Sequence, residues 1–228
     1  MEVLWLEQSA AEVPAANDWL GPAEKLRLDA FRFAKRRDDW RLGRWTAKRA
    51  VAAYLRMPCD PNTLERFEIR PAASGAPEVF YDDRPADVSI SITHRDGTAA
   101  CAVAPPETAV GCDLELIEPR SDAFLADYFT TAEQALVKRW CPAERMILPA
   151  LLWSAKESAL KALTVGLRVD TRCVEVSLGE CFPTEPLDWR PLTVTHLNGQ
   201  SLRGWWQAKA GLVRTIITIP PSAPPRVA

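Results

Sequence analysis

The sequence lacks three features that would each indicate a class of protein: a Cys-x-x-Cys pair, a long apolar run and an excess of charge of one sign. Its six cysteines are scattered, and several lie in apolar segments, which disfavours a zinc site and favours buried, reduced thiols. No apolar run is as long as a membrane span, and residues 1–6 contain Glu2 but no basic residue, so neither a membrane segment nor a signal peptide is expected. These absences favour a cytoplasmic protein.

Charge is plentiful but balanced. The 28 Lys and Arg residues nearly cancel the 30 Asp and Glu residues, and the formal net charge is -2. Bulk binding to nucleic acid needs a basic excess, so it is not expected, whereas a local basic pocket for a phosphorylated ligand is compatible with this balance. Apolar residues make up 47% of the 228 positions, which is enough for a substantial core.

Hydrophobic periodicity predicts an α+β fold in which helices followed by strands occur twice along the chain. We predict an N-terminal α+β half at residues 1–106, a C-terminal α+β half at 107–219 and a disordered Pro-rich tail at 220–228. No close internal repeat is evident, so similarity between the halves is expected in structure alone. One helix is predicted over residues 124–140, with Thr131 as a candidate cap.

The segment VGCDLE at residues 110–115 is predicted to be a strand that carries paired acids. Alternate residues of a strand face the same side, so Asp113 and Glu115 would project together while Cys112 and Leu114 face the core. Two such carboxylates repel each other unless a cation lies between them, and magnesium suits a site of this kind. Two solvated acids at a strand edge are the alternative.

The segment WSAKESALK at residues 153–161 is predicted to be helical. Spacings of three, four and eight residues place Trp153, Lys156, Glu157 and Lys161 on roughly one face. Lysines and a carboxylate on one face can bind phosphates and a metal together. A surface helix with an ordinary Glu157–Lys161 ion pair is the alternative.

Two segments of the N-terminal half offer further groups that could bind an anion. His94, one of only two histidines, directly follows Thr93 at the end of a predicted strand. Lys35, Arg36 and Arg44 lie on a basic helix, and the two arginines are two turns apart on one face. Arginine binds phosphate through a planar fork of donors. A structural histidine and a solvated helix face are the alternatives.

Taken together and in this order, these segments resemble the 4′-phosphopantetheinyl transferases of the monomeric type that activates surfactin synthetase and similar assembly lines. The resemblance spans residues 35–161 and rests on the VGCDLE strand, the WSAKESALK helix, the Thr93-His94 pair and the basic helix at 36–44. It implies a pseudo-dimeric fold of two similar α+β halves. One departure is Ala76, where the family often has a basic residue near the adenine site. Arg70 or Arg84 could replace it.

The resemblance implies a reaction and the residues that perform it. A serine of an apo acyl or peptidyl carrier protein would attack the β-phosphate of coenzyme A, with magnesium held by Asp113, Glu115 and Glu157. Groups that donate hydrogen bonds or carry positive charge would bind coenzyme A, namely Lys35, Arg36, Arg44, Thr93, His94, Lys156 and Lys161. Glu157, Lys161 and His94 would act in catalysis, with Glu157 the first choice for the general base.

The carrier protein needs a docking surface, for which the segment from Tyr128 to Trp140 is the predicted place. It combines Phe129 and Leu136 with Lys138 and Arg139, a composition suited to an acidic, partly apolar helix. Core packing of its apolar residues is the alternative.

Two rival functions use the same groups. One is a magnesium-dependent nucleotide pyrophosphate hydrolase, and the other is a non-catalytic coenzyme A-binding module. A transferase needs the carrier for turnover, a hydrolase does not, and a binding module is inert with both.

Overall fold

The protein is described here by a computed structural model. It describes residues 1–139, 144–178 and 189–228, apart from the side chains of Glu144, Arg145 and Leu167. It contains two compact units: an N-terminal unit of residues 2–108 and 226–228, and a C-terminal unit of Met1 and residues 109–225. Each unit combines helices with antiparallel strands, which confirms the α+β class.

The helices are α1 (Pro22–Asp29), α2 (Ala34–Tyr54), α3 (Pro61–Glu65), α4 (Asp122–Tyr128), α5 (Thr131–Arg139) and α6 (Glu144–Ala162). The strands are β1 (Leu4–Ser9), β2 (Phe67–Pro71), β3 (Pro77–Tyr81), β4 (Arg84–Pro85), β5 (Ser89–Arg95), β6 (Thr98–Ala104), β7 (Ala109–Leu116), β8 (Val174–Ser177), β9 (Arg190–His196), β10 (Ser201–Lys209), β11 (Leu212–Ile219) and β12 (Arg226–Val227). None of the described helices is both long and apolar enough to cross a membrane.

In the N-terminal unit, α2 packs on a four-stranded sheet of order β12-β1-β6-β5. The helix buries one face, with Leu42, Trp45 and Val51 in the core, and leaves its first turns exposed. Burial of such a face, rather than the helix propensity of single residues, stabilises a helix of this kind. A second sheet of order β2-β3-β4 forms a hairpin region beside it.

In the C-terminal unit, α6 packs on a five-stranded antiparallel sheet of order β7-β11-β10-β9-β8. Gly111 of β7 permits a close approach of the helix, since a Cβ there would lie 1.9 Å from the Ser158 carbonyl oxygen and 2.5 Å from the Ala162 nitrogen. The two units share one plan: a first strand, a long helix on it, and a final strand that pairs with the first, β1 with β6 and β7 with β11.

Three predictions about local structure need correction. The helix predicted over 124–140 is two helices, because Phe129 and Thr130 interrupt it. The capping box is Thr130 with Glu133, one residue before the predicted one: Thr130 N donates to Glu133 Oε2 at 2.8 Å. The tail predicted to be disordered carries β12, which pairs parallel to β1 through hydrogen bonds such as Arg226 N to Val3 O at 2.8 Å.

The cysteines for which the structure gives a state are free thiols. Cys101 and Cys112 are buried, Cys173 is half-buried and Cys59 is exposed, while Cys141 and Cys181 lie outside the described residues.

Candidate functional site

Strand β7 places two carboxylates next to each other in the C-terminal unit. Asp113 and Glu115 pair in register with Thr215 and Val213 of β11, and they are only 5% and 8% exposed. The alternative of two solvated acids at a strand edge is therefore wrong. Cys112 and Leu114 are buried, as the alternation predicts.

Helix α6 brings a third carboxylate and a lysine to this edge. Lys161 Nζ lies 2.8 Å from Asp113 Oδ1 and donates to Cys112 O at 3.0 Å. Burial, together with the charges of Asp113 and Glu115, raises the pKa of Glu157 to about 6 against the opposing effect of Lys161. This mutual influence shows that the three acids and the lysine share one local field. We call these four residues the carboxylate cluster.

Glu115 has two further partners. Trp153 Nε1 donates to Glu115 Oε1 at 3.1 Å, and Arg120 Nη2 donates to Glu115 Oε2 at 2.7 Å. Sequence reasoning missed Arg120, which lies in the loop after β7; its only signal was a cation five positions after an acid. Arg120 also stacks on Phe124, with its Cζ 5.2 Å from the ring centroid, so the guanidinium is held in place from two sides.

The donor set of the carboxylate cluster suits magnesium, which prefers carboxylate oxygens and takes its other ligands from water and phosphate. In the part of the chain that the structure describes, however, no three acidic, His or Cys side chains are gathered closely enough to hold a metal ion as they stand. Lys161 and Arg120 neutralise Asp113 and Glu115 instead. The carboxylate oxygens nevertheless suit the ion, and a bound metal would replace these internal cations.

Lys156 does not belong to the carboxylate cluster, contrary to the prediction. Its side chain is fully buried, and Nζ lies 2.9 Å from Glu133 Oε2. It also donates to the carbonyl oxygens of Thr171, at 3.0 Å, and Val174. The reason is angular: at about 100° per residue, Lys156 and Lys161 point about 140° apart around the helix. No donor of Lys156 is directed at a phosphate site.

The N-terminal unit contains a basic pocket of about 420 Å³ on the exposed side of α2. We call it the α2 pocket. Four arginines and two other titratable side chains line it: Arg27, Arg36, Arg44, Arg70, His94 and Asp39, with Asp39 Oδ2 3.9 Å from His94 Nε2. Trp40 lines it as well, with Arg44 Cζ 5.1 Å from its ring centroid. The predicted grouping of Arg36, Arg44 and His94 is thus present in one cavity.

Arg44 is the most buried cation of the α2 pocket. Its Nε is buried with no hydrogen-bond partner among the described residues, and it lies 3.7 Å from Glu24 Oε1. Burial lowers the pKa of Arg44, while the charge of Glu24 opposes this. Because Arg44 lines the pocket and a guanidinium carries five N–H donors, its remaining donors can bind an anionic ligand.

The other predicted contacts of this unit have different places. Lys35 is almost fully exposed and pairs with Asp39 at 3.0 Å, and Thr93 is buried in β5; neither lines the pocket. The turn that carries Ala76 contributes Gly75 and Pro77 to the lining. Of the two suggested substitutes for a base at Ala76, Arg70 lines the pocket and Arg84 does not.

The predicted docking segment is only partly on the surface. Phe129 is fully buried and Leu136 packs against the core, so core packing explains these two residues. Tyr128 is exposed, and Lys138 and Arg139 are exposed at the end of α5. Trp140 lies outside the described residues.

Comparison with known proteins addresses the C-terminal unit most directly. Residues 109–208 match the profile of the 4′-phosphopantetheinyl transferase superfamily. This segment contains β7, α6 and therefore the whole carboxylate cluster.

Relatives over a longer stretch carry a related name. The L-aminoadipate-semialdehyde dehydrogenase-phosphopantetheinyl transferase of Xenopus laevis is 25% identical over 76% of this chain, and that of Homo sapiens is 26% identical over 77%. The chain spans only 61% and 60% of the lengths of these two relatives. What the comparisons show is thus a similarity of residues 109–208, which contain both acidic motifs, to the 4′-phosphopantetheinyl transferase superfamily.

Proposed function

We propose that the protein is an enzyme that transfers the 4′-phosphopantetheine arm of coenzyme A to a serine of an apo acyl or peptidyl carrier protein. The observation that carries this proposal is the carboxylate cluster, in which two buried acids of β7 meet Glu157 and Lys161 of α6 within the segment that matches the superfamily. The products are holo carrier protein and adenosine 3′,5′-bisphosphate.

In the reaction, the serine oxygen forms a bond to the β-phosphorus of coenzyme A. The bond from that phosphorus to the bridging oxygen breaks, and the electron pair leaves with the adenosine 3′,5′-bisphosphate. Glu157 accepts the serine proton, and with a pKa of about 6 in the metal-free protein it is ionised at neutral pH. Lys161 stabilises the negative charge that develops on the phosphates.

Magnesium is the ion we assign to Asp113, Glu115 and Glu157, where it supplies positive charge to the pyrophosphate when bound. The support is the chemistry of the donors and the shared field that raises the pKa of Glu157. Asp113 and Glu115 already attract cations, since each holds one from within the protein.

The α2 pocket is the part of the protein that we assign to the nucleotide end of coenzyme A. Arg36 and Arg44 bind the 3′-phosphate as planar donors, and His94 donates to a phosphate oxygen. Arg70 serves in place of the base missing at Ala76, although Glu68 and Asp83 share its charge. Lys156, which has no donor directed outward, is not assigned to the ligand.

The proposal extends to a cytoplasmic monomer of the surfactin-synthetase-activating type that serves secondary metabolite biosynthesis. Sedimentation of the purified protein tests the monomer. A panel of apo carriers from fatty-acid, polyketide, siderophore and nonribosomal-peptide systems tests the breadth of acceptance.

Intact-mass spectrometry of an apo carrier incubated with coenzyme A, magnesium and the protein tests the function itself. Transfer adds about 340 Da to the carrier, an estimate from the composition of the arm. The controls are a carrier with its serine replaced by alanine and the variant Asp113→Asn, neither of which should give the adduct. Loss of coenzyme A without a carrier would instead identify a pyrophosphate hydrolase, and unchanged coenzyme A in both cases a binding module.

A further inference from the structure

The two units contain the same kind of buried ion pair at corresponding places. In the C-terminal unit, Lys156 of α6 pairs with Glu133 of α5, and the two side chains are 0% and 1% exposed. In the N-terminal unit, Lys48 of α2 pairs with Glu24 of α1, and the two side chains are 0% and 6% exposed. Burying a lysine and a glutamate is costly unless they pair closely and their remaining donors and acceptors are satisfied.

The C-terminal pair joins three elements. Glu133 caps the start of α5 by accepting from Thr130 N at 2.8 Å, and its other oxygen accepts from Val176 N of β8 at 2.9 Å. Lys156 donates to Thr171 O, just before β8, at 3.0 Å. The pair therefore ties α6 to α5 and to the edge of the sheet.

The N-terminal pair repeats the connections of the glutamate, whereas its lysine donates to a carbonyl at a different place. Glu24 caps the start of α1 by accepting from Gly21 N at 3.3 Å, and its other oxygen accepts from Ile69 N of β2 at 3.3 Å. Lys48 donates to Trp19 O at 3.0 Å, in the segment before α1. In each unit, then, a long-helix lysine meets the capping glutamate of an earlier helix, and that glutamate also holds the first strand after the long helix.

A short sequence repeat accompanies the repeated pair. The lysines end the segments WTAK at 45–48 and WSAK at 153–156, an internal repeat that the sequence analysis missed. After the lysine, the copies diverge: Arg49 and Ala53 stand where the C-terminal unit has Glu157 and Lys161. The pair thus recurs in a unit whose long helix lacks the catalytic acid, so the chemistry of the carboxylate cluster does not explain it.

We propose that the Glu133–Lys156 pair positions α6, so that Glu157 and Lys161 face the carboxylates of β7, and that Lys156 does not bind phosphate. The inference rests on the proposed function for the roles of Glu157 and Lys161. The pair fixes the rotation of α6 one residue before Glu157, while Gly111 fixes its distance from β7. Lys156 is therefore a positioning residue.

A double-mutant cycle with Lys156→Met, Glu133→Gln and their combination tests this proposal. Each single variant leaves a buried charge without its partner, whereas the combination removes both charges and nearly keeps the volume. We expect Lys156→Met to lower the unfolding midpoint by about 10 °C and the double variant to recover most of this loss. If Lys156→Met folds poorly, Glu133→Gln still breaks the same pair from the other side and can be compared with the double variant.

Three further measurements separate positioning from mere stabilisation and from phosphate binding. At a temperature where the variants are folded, Lys156→Met should lower kcat at least about tenfold, and the double variant should restore it. Amide hydrogen exchange of α6 should accelerate and recover in parallel. The dissociation constant for coenzyme A should stay within about twofold of the wild-type value in every variant.

The N-terminal pair supplies the matched control. Lys48→Met should lower the unfolding midpoint by a similar amount while kcat at saturating coenzyme A stays unchanged, because no catalytic residue follows Lys48 on α2. A double variant no more stable than Lys156→Met would refute the pairing. Unchanged kcat in Lys156→Met would refute positioning. If Lys156→Met weakens the binding of coenzyme A and the addition of Glu133→Gln does not restore it, Lys156 is a phosphate ligand.

Failure of the proposed function would look different. A wild-type protein that transfers nothing contradicts the transferase assignment, yet the melting and hydrogen-exchange cycle still decides whether the pair holds α6 in place.

Discussion

At the scale of single residues, the position of Glu157 in the carboxylate cluster changes both its pKa and the stability of the fold. Burial and the charges of Asp113 and Glu115 raise its pKa from 4.5 to about 6. Between these values the folded protein holds a proton that the unfolded chain has lost. Ionised Glu157 therefore destabilises the fold above pH 6, and this cost disappears below pH 4.5.

Glu157→Gln should accordingly stabilise the protein in a pH-dependent way while abolishing transfer. The gain in the free energy of unfolding should be about 1 kcal/mol at pH 8, after allowance for partial exposure to solvent, and about zero at pH 4. Urea denaturation at the two pH values measures it. An equal gain at both values would show that the ionisation of Glu157 is not the cause.

A second prediction at this scale concerns the stability of a variant at Gly111. In Gly111→Ala the new Cβ would collide with backbone atoms of α6, which cannot move without displacing the helix. The free energy of unfolding should fall by about 3 kcal/mol, as measured by chemical denaturation. Gly43→Ala in α2 is the control: its nearest neighbour would be 3.7 Å away, so the change should be neutral or stabilising by about 0.5 kcal/mol.

At the scale of elements, the first three turns of α2 present one face to the α2 pocket. Arg36, Trp40 and Arg44 follow one another at intervals of four residues and all line the α2 pocket. This periodicity is visible in the sequence, and it made the basic helix predictable. The contribution of Arg27 was not predictable, because it depends on how α1 folds back beside α2.

The α2 face predicts how coenzyme A analogues are discriminated. Arg36→Ala should raise KM for coenzyme A about tenfold and leave KM for 3′-dephospho-coenzyme A unchanged, because only the former carries the phosphate that Arg36 binds. Arg37→Ala is the matched control, since Arg37 pairs with Asp38 and does not line the pocket. Should Arg36→Ala discriminate between the analogues as well as the wild type, Arg36 does not contact that phosphate.

We expect the carrier to dock at the exposed end of α5, where Lys138 and Arg139 lie. Lys138→Glu combined with Arg139→Glu should raise KM for the carrier about tenfold at low salt without changing KM for coenzyme A, because two exposed cations would no longer attract an acidic helix. The defect should shrink as salt screens the charges. Carrier kinetics that stay normal at low salt would exclude this end of α5 as the docking site.

At the scale of the whole molecule, the order of elements predicted two α+β halves, but the sequence concealed how closely they correspond. The alternation in VGCDLE predicted that Asp113 and Cys112 lie on opposite faces of β7, because the geometry of a single strand determines this. The place of Lys156 depends on Glu133, which is 23 residues away and belongs to another helix. Pairings of that kind are set by tertiary packing. The four-residue repeat of WTAK and WSAK is too short to predict them.

The link between β12 and β1 gives a prediction at this largest scale. Arg226→Pro removes the hydrogen bond to Val3 O and should lower the free energy of unfolding by about 2 kcal/mol. Arg226→Ala removes only the exposed ion pair with Glu2 and should cost less than about 1 kcal/mol. Thermal unfolding compares the two variants, and equal losses would mean that the strand pairing does not matter.

The same link has a consequence for the order in which the protein is built on the ribosome. Strand β1 is translated well before its neighbour β12, because residues 10–225 lie between them in the chain. At about 5–20 residues per second, the side of β1 that pairs with β12 stays uncovered for about 11–43 s. Until then, that side of β1 is an open edge to which another nascent chain could add a strand. The N-terminal unit is thus completed only after residues 109–225 of the C-terminal unit have been translated.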